Sequence, residues 1–202
     1  MTSEIADVSR ETIERLRVFE RLALKWTAKI NLVSRESAEN LWERHILDSV
    51  QAYNAAPNDW RHWLDLGSGG GFPGIVVAIL ADQRADLPKV TMVESDARKC
   101  AFLRAALRET GARAEVLTQR IEDVVPQNAD VVSARALADL KILLGHAERH
   151  LHPDGTAIFA KGARWRREVE AARSQWKFDF EAVKSNLAAD AVILKIKGVS
   201  RV

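Results

Sequence analysis

The chain has 202 residues, 47% of them hydrophobic, which suits one α/β unit with its own core rather than two domains. Thirty Lys and Arg against 28 Asp and Glu leave a net charge of +2, so attraction to a polyanion must come from local clustering rather than from the total. A single cysteine, Cys100, excludes an intrachain disulfide and a cysteine-rich zinc site, and the expected place is the reducing cytoplasm. Residues 1–7 are polar without an apolar core segment, so neither a secretory leader nor a membrane span is expected.

Residues 1–60 read as a helical extension. Ile13, Leu16, Phe19, Leu22, Trp26 and Ile30 recur at steps of three or four, an apolar face that must pack on something. A second helix is expected from Leu41 to Tyr53, with Ser37 as its N-cap. Residues 61–202 then alternate as strand 62–66, helix 73–82, strand 89–93, helix 96–110, strands 114–118 and 129–133, helix 137–151, strand 156–160, helix 164–175 and strands 177–184 and 190–197. This pattern predicts a mostly parallel seven-stranded sheet with helices on both faces, and the two parts as one structural unit. Pro153-Asp154-Gly155 marks a tight turn before the fifth strand, and Asp96 is the natural N-cap of helix 96–110.

The richest stretch is Asp65-Leu66-Gly67-Ser68-Gly69-Gly70-Gly71-Phe72-Pro73-Gly74, between a hydrophobic strand and an apolar helix. A loop almost free of side chains lets a ligand touch backbone. Two readings compete. Gly69 to Gly74 satisfies G-x-G-x-x-G, the dinucleotide fingerprint. Asp65, Gly67 and Gly69 satisfy the D-x-G-x-G pattern of S-adenosylmethionine-dependent methyltransferases. A carboxylate beside the loop opposes a pyrophosphate at the helix N-terminus and favours a sulfonium and an ammonium, which tips the choice toward adenosylmethionine. Glu94, ending the second strand, stands about 20 residues beyond the loop, where a ribose-binding acid is expected for either cofactor. Parallel strands bring their carboxyl ends together. Asp65, Glu94, Arg120-Ile121-Glu122-Asp123, Ser133-Ala134-Arg135 and Lys161-Gly162 should therefore face one crevice, with Ile121 and Glu122 suited to packing on and reading an adenine.

Other features have plainer readings. His146, His150 and His152 lack the H-E-x-x-H arrangement, and no metal is expected. Cys100 is a packing residue, and most of the six tryptophans belong to the core. Lys161, Arg164, Arg166 and Arg167 beside Trp165 form a basic cluster at the crevice mouth that suits RNA phosphate and a stacked base, or a merely solvated face. Lys29, Arg35 and Arg44 on the extension are a second possible contact surface.

Several of these letters together resemble the RsmG (GidB) family of bacterial 16S rRNA guanine-N7 methyltransferases. They are Trp26 with Asn31-Leu32-Val33, Arg44-His45-Ile46-Leu47-Asp48-Ser49, the loop Asp65 to Gly74, Arg98-Lys99 with Phe102-Leu103-Arg104, Arg120 to Glu122, Ser133 to Ala136, and Lys161-Gly162. The resemblance spans the chain from about Trp26 onward, with Thr27 departing from the family's usual Asn. It implies a Rossmann-like class I methyltransferase fold and methyl transfer from S-adenosylmethionine to N7 of guanine 527 of 16S rRNA. The substrate would be free rRNA or an assembling small-subunit particle, and the enzyme a monomer. Carried onto this sequence, the family's cofactor positions fall on Gly67, Phe72, Ile121, Glu122 and Arg135, joined by Gly69 and Glu94; Arg135 and His45 are candidates for holding the guanine. The alternatives are an NAD-dependent oxidoreductase, for which the sole tyrosine, Tyr53, lies outside the sheet, or a non-catalytic RNA-binding module.

Overall fold

The computed structural model describes residues 8–186 and 190–202. Residues 1–7, where the absence of a leader was read, and residues 187–189, between the last two expected strands, lie outside the described residues. The strands are β1 (His62–Leu66), β2 (Lys89–Glu94), β3 (Glu115–Thr118), β4 (Ala129–Arg135), β5 (Leu151–Lys161), β6 (Trp176–Lys184) and β7 (Val192–Arg201). They form one sheet in the order β3-β2-β1-β4-β5-β7-β6. β1 to β5 are parallel, and β7 pairs antiparallel with both β5 and β6. The order reverses between β1 and β4, so the loops that follow these two strands diverge and leave a crevice at their carboxyl ends.

The central parallel strands β1, β2 and β4 are largely buried because helices cover both faces, whereas β3 at the edge is only half covered. α4 (Gly74–Ala81) is buried along its whole length. With α5 (Ala97–Thr110) and α1 (Arg10–Ile30) it packs on the face carrying Trp63 and Met92, while α6 (Leu140–His150) and α7 (Trp165–Ala172) cover the face carrying Leu64, Leu66 and Phe159. Asp96 caps α5, its Oδ1 accepting the N–H of Arg98 at 2.8 Å and of Lys99 at 3.2 Å; Gly111, at φ 67°, ends the helix. The apolar face of α1 is answered inside the same core: Leu16 and Phe19 are fully buried, Phe19 lying 5.0 Å from Phe72 and 6.3 Å from Phe102.

Two sequence expectations need correction. Ser37 does not cap a helix from Leu41. Ser34 caps a short helix, α2 (Arg35–Ala38), by accepting the Ser37 N–H, and the following helix is a π-helical turn over Trp42–Leu47 that runs on into α3 (Asp48–Ala55). The Pro153-Asp154-Gly155 segment lies inside β5 rather than before it; a register shift between Ala129 and Val131 absorbs the irregularity. The residues after β3 form a 3-10 turn, Ile121–Asp123, that presents Ile121 and Glu122 at the sheet's carboxyl edge.

Candidate functional site

A crevice of about 410 Å³ opens at the carboxyl ends of β1, β2 and β3 and beside the loop after β4. Gly67, Gly69, Glu94, Ile121 and Glu122 line it together, as the sequence led one to expect. Gly67 and Gly69 have φ of 63° and 50°, a left-handed conformation that glycine adopts without strain. Beyond Gly69 a Cβ would meet only the Gly67 carbonyl at 3.6 Å and Glu94 Oε2 at 4.0 Å, so the missing side chain leaves open space inside the crevice. Glu94 is 8% exposed, and each of its oxygens accepts one backbone N–H: Oε2 from Gly69 at 2.9 Å and Oε1 from Asp96 at 2.8 Å. The carboxylate is thereby fixed against the loop, with further lone pairs left for a ligand hydroxyl. Two larger or comparable depressions, around Tyr53, Trp60 and Arg84 and around Lys89 and Arg113, lie at the amino ends of the strands, away from this chemistry.

Asp65 does not face the crevice. On β1 it alternates with Leu64 and Leu66 and shares the face of Trp63, so its carboxylate turns under the amino end of α4. Its Oδ1 accepts the Ser133 hydroxyl at 2.7 Å, and that hydroxyl oxygen accepts the Trp63 indole N–H at 2.8 Å. Oδ2 makes no full hydrogen bond and looks toward Gly74, where a Cβ would come within 2.7 Å of it. Complete burial raises the carboxyl from 3.8 to about 6, against the Ser68 and Ser133 hydroxyls and the Gly74 N–H that favour the anion. Asp65 thus braces the loop from behind instead of attracting a cation from within the site.

A second cluster stands on the extension side of the loop. Phe72, 7% exposed, packs its ring 4.8 Å from His45 and 5.0 Å from Phe19, and so supports the loop without lining the crevice. Arg135, ending β4, sets Nη1 3.0 Å from Asp48 Oδ2, and its Nη2 donates to the Arg44 carbonyl at 2.8 Å. The π-helical turn brings the Arg44 carbonyl to that guanidinium, and Asp48 follows it at the start of α3; such wide turns recur at functional positions. Burial, with Arg135 and Arg44 adding to it, lowers His45 to about 3, so its imidazole is neutral; neither ring nitrogen has a partner among the described residues. Burial raises Asp48 and lowers Arg135, and in each case the other's charge opposes the shift.

The basic cluster divides. Lys161 is drawn inside, donating to Glu168 Oε2 at 2.6 Å and to the Ala138 carbonyl at 2.7 Å, with only 8% of its side chain exposed. Glu168 Oε2 also accepts the Leu140 N–H that opens α6, so Lys161 anchors the segment along the crevice wall rather than a phosphate. Arg164, Arg166 and Arg167 are exposed, with the Arg166 guanidinium 4.4 Å above Trp165. On the extension Lys29 and Arg35 are exposed, and Arg44 pairs with Glu36 at 2.8 Å.

Sequence reasoning missed Leu137, Ile142 and His146, which form the wall opposite Glu94, and Ala136, held at φ 49° in the same wall. The signal was the pair Ile142 and His146, one turn apart on a face of α6 that carries none of its core leucines. Among the described residues no three His, Cys, Asp or Glu side chains are grouped to hold a metal. Tyr53 stacks on Trp63 at 6.2 Å, far from the glycine loop.

The family model for rRNA small subunit methyltransferase G, GidB, matches residues 12–193. A ribosomal RNA small subunit methyltransferase G from a Ruegeria species is 58% identical over 97% of this chain and 95% of its own length. Another, from a Jannaschia species, is 44% identical over 95% and 90%. Among solved structures, a TehB-like SAM-dependent methyltransferase from Corynebacterium glutamicum superposes with a TM-score of 0.59 at 18% identity, covering 91% of this chain and 99% of that one. At that identity the likeness speaks to the fold, which is of the Rossmann-like class I kind.

Proposed function

The chain belongs to the rRNA small subunit methyltransferase G family, and on that footing we propose that it transfers a methyl group from S-adenosylmethionine to N7 of guanine 527 of 16S rRNA. The observation that carries this reading is the pairing of Gly69 with Glu94: an open backbone loop whose N–H holds a buried carboxylate at the ribose position. The residues fit the donor. Glu94 would accept its ribose hydroxyls, Gly67 and Gly69 would lie against its methionine part, and Ile121 and Glu122 would pack on and read its adenine. Two solved structures of this fold, M. jannaschii TYW2 and a mutant of MtNAS, are complexes with adenosylmethionine, which agrees.

The bound donor supplies an electrophilic methyl on a sulfonium. Guanine N7 attacks with an in-plane lone pair and loses no proton, so no strong base is required of the protein. Positioning is the chain's contribution, and alignment of this sort lowers a barrier by roughly 7–11 kcal/mol in favourable cases. Arg135 and the neutral His45 are the groups that would orient the guanine, Arg135 by donating toward O6. In the reading that follows from Asp48 and Arg44, the guanidinium is held ready by its own neighbours. Phe72 belongs to this set as the ring that connects His45 to the loop.

RNA would be gripped by Arg164, Arg166 and Arg167 with Trp165 on one side and by Lys29 and Arg35 on the other. Lys161 enters this grip only through the wall it anchors. The enzyme would act as a cytoplasmic monomer and one structural unit; no helix among the described residues is long and apolar enough to cross a membrane. The test is methylation by the purified protein of naked 16S rRNA and of unmodified small subunits with labelled donor. One N7-methylguanosine at position 527 is expected in one or both substrates; label at another base, or at none, overturns the proposal.

A further inference from the structure

We propose that His146 is a positioning residue of this crevice, holding the Glu122 carboxylate toward the base so that the site selects a 6-aminopurine over a 6-oxopurine. The inference rests on the reading of Ile121 and Glu122 as the adenine end. The histidines of α6 do not group to hold a metal among the described residues, yet the helix directs its polar groups at one short turn. His150, fully buried, places Nε2 3.3 Å from the Ile121 carbonyl, and Arg149 donates to the Val124 carbonyl at 3.0 Å. His146, one turn before His150, lines the crevice with Nε2 3.9 Å from Glu122 Oε1. Ile142, a turn earlier again, is 54% exposed in the same wall, an apolar side chain with room for a flat ring against it.

The Glu122 side chain is 66% exposed, and the ring nitrogen that faces it across the crevice, His146 Nε2, stands 3.9 Å away, a small side-chain rotation beyond hydrogen-bond distance. Burial lowers the His146 pKa against the pull of Glu122, which keeps the imidazole neutral. When a base enters and the 3.9 Å gap closes, a neutral ring donates through Nε2 and orients the carboxylate without neutralising it. Glu122 then accepts from an exocyclic amine and repels a carbonyl oxygen at the same place, a discrimination that a floppy carboxylate would lose.

The test compares binding of S-adenosylhomocysteine and S-inosylhomocysteine to the full chain by calorimetry. The native protein should favour the adenosyl form at least about tenfold, as one lost or reversed hydrogen bond implies. H146A should cut that ratio at least about threefold. H146Q, whose amide nitrogen reaches the Nε2 position, should restore most of it, and H146N should not. If H146A proves too unstable to assay, the H146Q and H146N pair decides alone. A ratio unchanged in H146A, or in both amide variants, overturns the role of His146. Glu122→Ala separates this from the wider reading: a ratio that collapses there but not in H146A sinks only this inference, and one that survives there sinks the adenine assignment with it.

Discussion

Replacing Asp65 by Asn removes a charge that the fold buries without full compensation, and the structure gives the size of the effect. The folded protein keeps the Asp65 proton up to about pH 6, whereas the unfolded chain releases it near 3.8. The native state therefore binds more protons between these values, and stability falls as pH rises through that window before levelling off above it. At 1.36 kcal/mol per unit, ionisation of Asp65 costs the native state about 3 kcal/mol near pH 7.5 and about 1.5 kcal/mol near pH 5. Asn fits the same place, its carbonyl accepting the Ser133 hydroxyl as Oδ1 does and its NH2 taking the position of the unpartnered Oδ2. Urea unfolding of D65N should show a gain of about 3 kcal/mol over the native protein near pH 7.5, shrinking by about half near pH 5. Adenosylmethionine affinity should change less than about twofold, because the carboxylate faces away from the crevice. A D65N protein less stable than the native one at pH 7.5 would refute the burial argument, and a large loss of affinity would return Asp65 to the site.

Three further outcomes follow from the same geometry. Gly69→Ala must hold a side chain at φ 50°, costing about 1–2 kcal/mol of stability, and its Cβ enters the crevice, so donor affinity read by calorimetry should drop at least about tenfold. Glu94→Gln keeps one acceptor for the Gly69 and Asp96 N–H groups and loses the charge; donor affinity should fall roughly tenfold with melting lowered only modestly, and an unchanged affinity would remove Glu94 from the ribose site. Arg166→Ala and Lys161→Ala should separate cleanly. The first should weaken RNA binding and reduce its salt dependence by about one ion while sparing the donor constant. The second, by leaving Glu168 buried beside a broken pair, should cost about 3 kcal/mol of stability in denaturant unfolding.

The sheet and its crevice were legible because their signals are local. Short apolar runs ended by Leu66, Glu94 and Arg135 mark strands, and the glycine run marks the loop whose backbone lines the crevice. Facing is less legible. Asp65 and Gly67 are two residues apart in sequence, yet one lies under α4 and the other lines the crevice, because the chain turns at Gly67 with φ 63°. Lys161 belongs by composition to a basic cluster, but the partner that removes it, Glu168, sits seven residues on, and only the fold brings their side chains to 2.6 Å. The run Arg44 to Ser49 was legible as one motif, but the π-helical turn over Trp42–Leu47 has no period that a sequence pattern reports, so that Asp48 meets Arg135 is visible only in the fold. His146 was hidden for a related reason: its wall of the crevice is made by a helix that follows the site in sequence and folds back over the turn after β3.

The central claim is that the crevice between Gly67, Glu94 and Glu122 holds a sulfonium methyl donor. Equilibrium dialysis of the native protein and of Gly69→Val against labelled S-adenosylmethionine and labelled NAD, side by side, tests it most directly. The expected result is saturable adenosylmethionine binding at one site, lost in Gly69→Val, with no comparable binding of NAD. Tight NAD binding, or adenosylmethionine binding that Gly69→Val leaves intact in a folded protein, would contradict it.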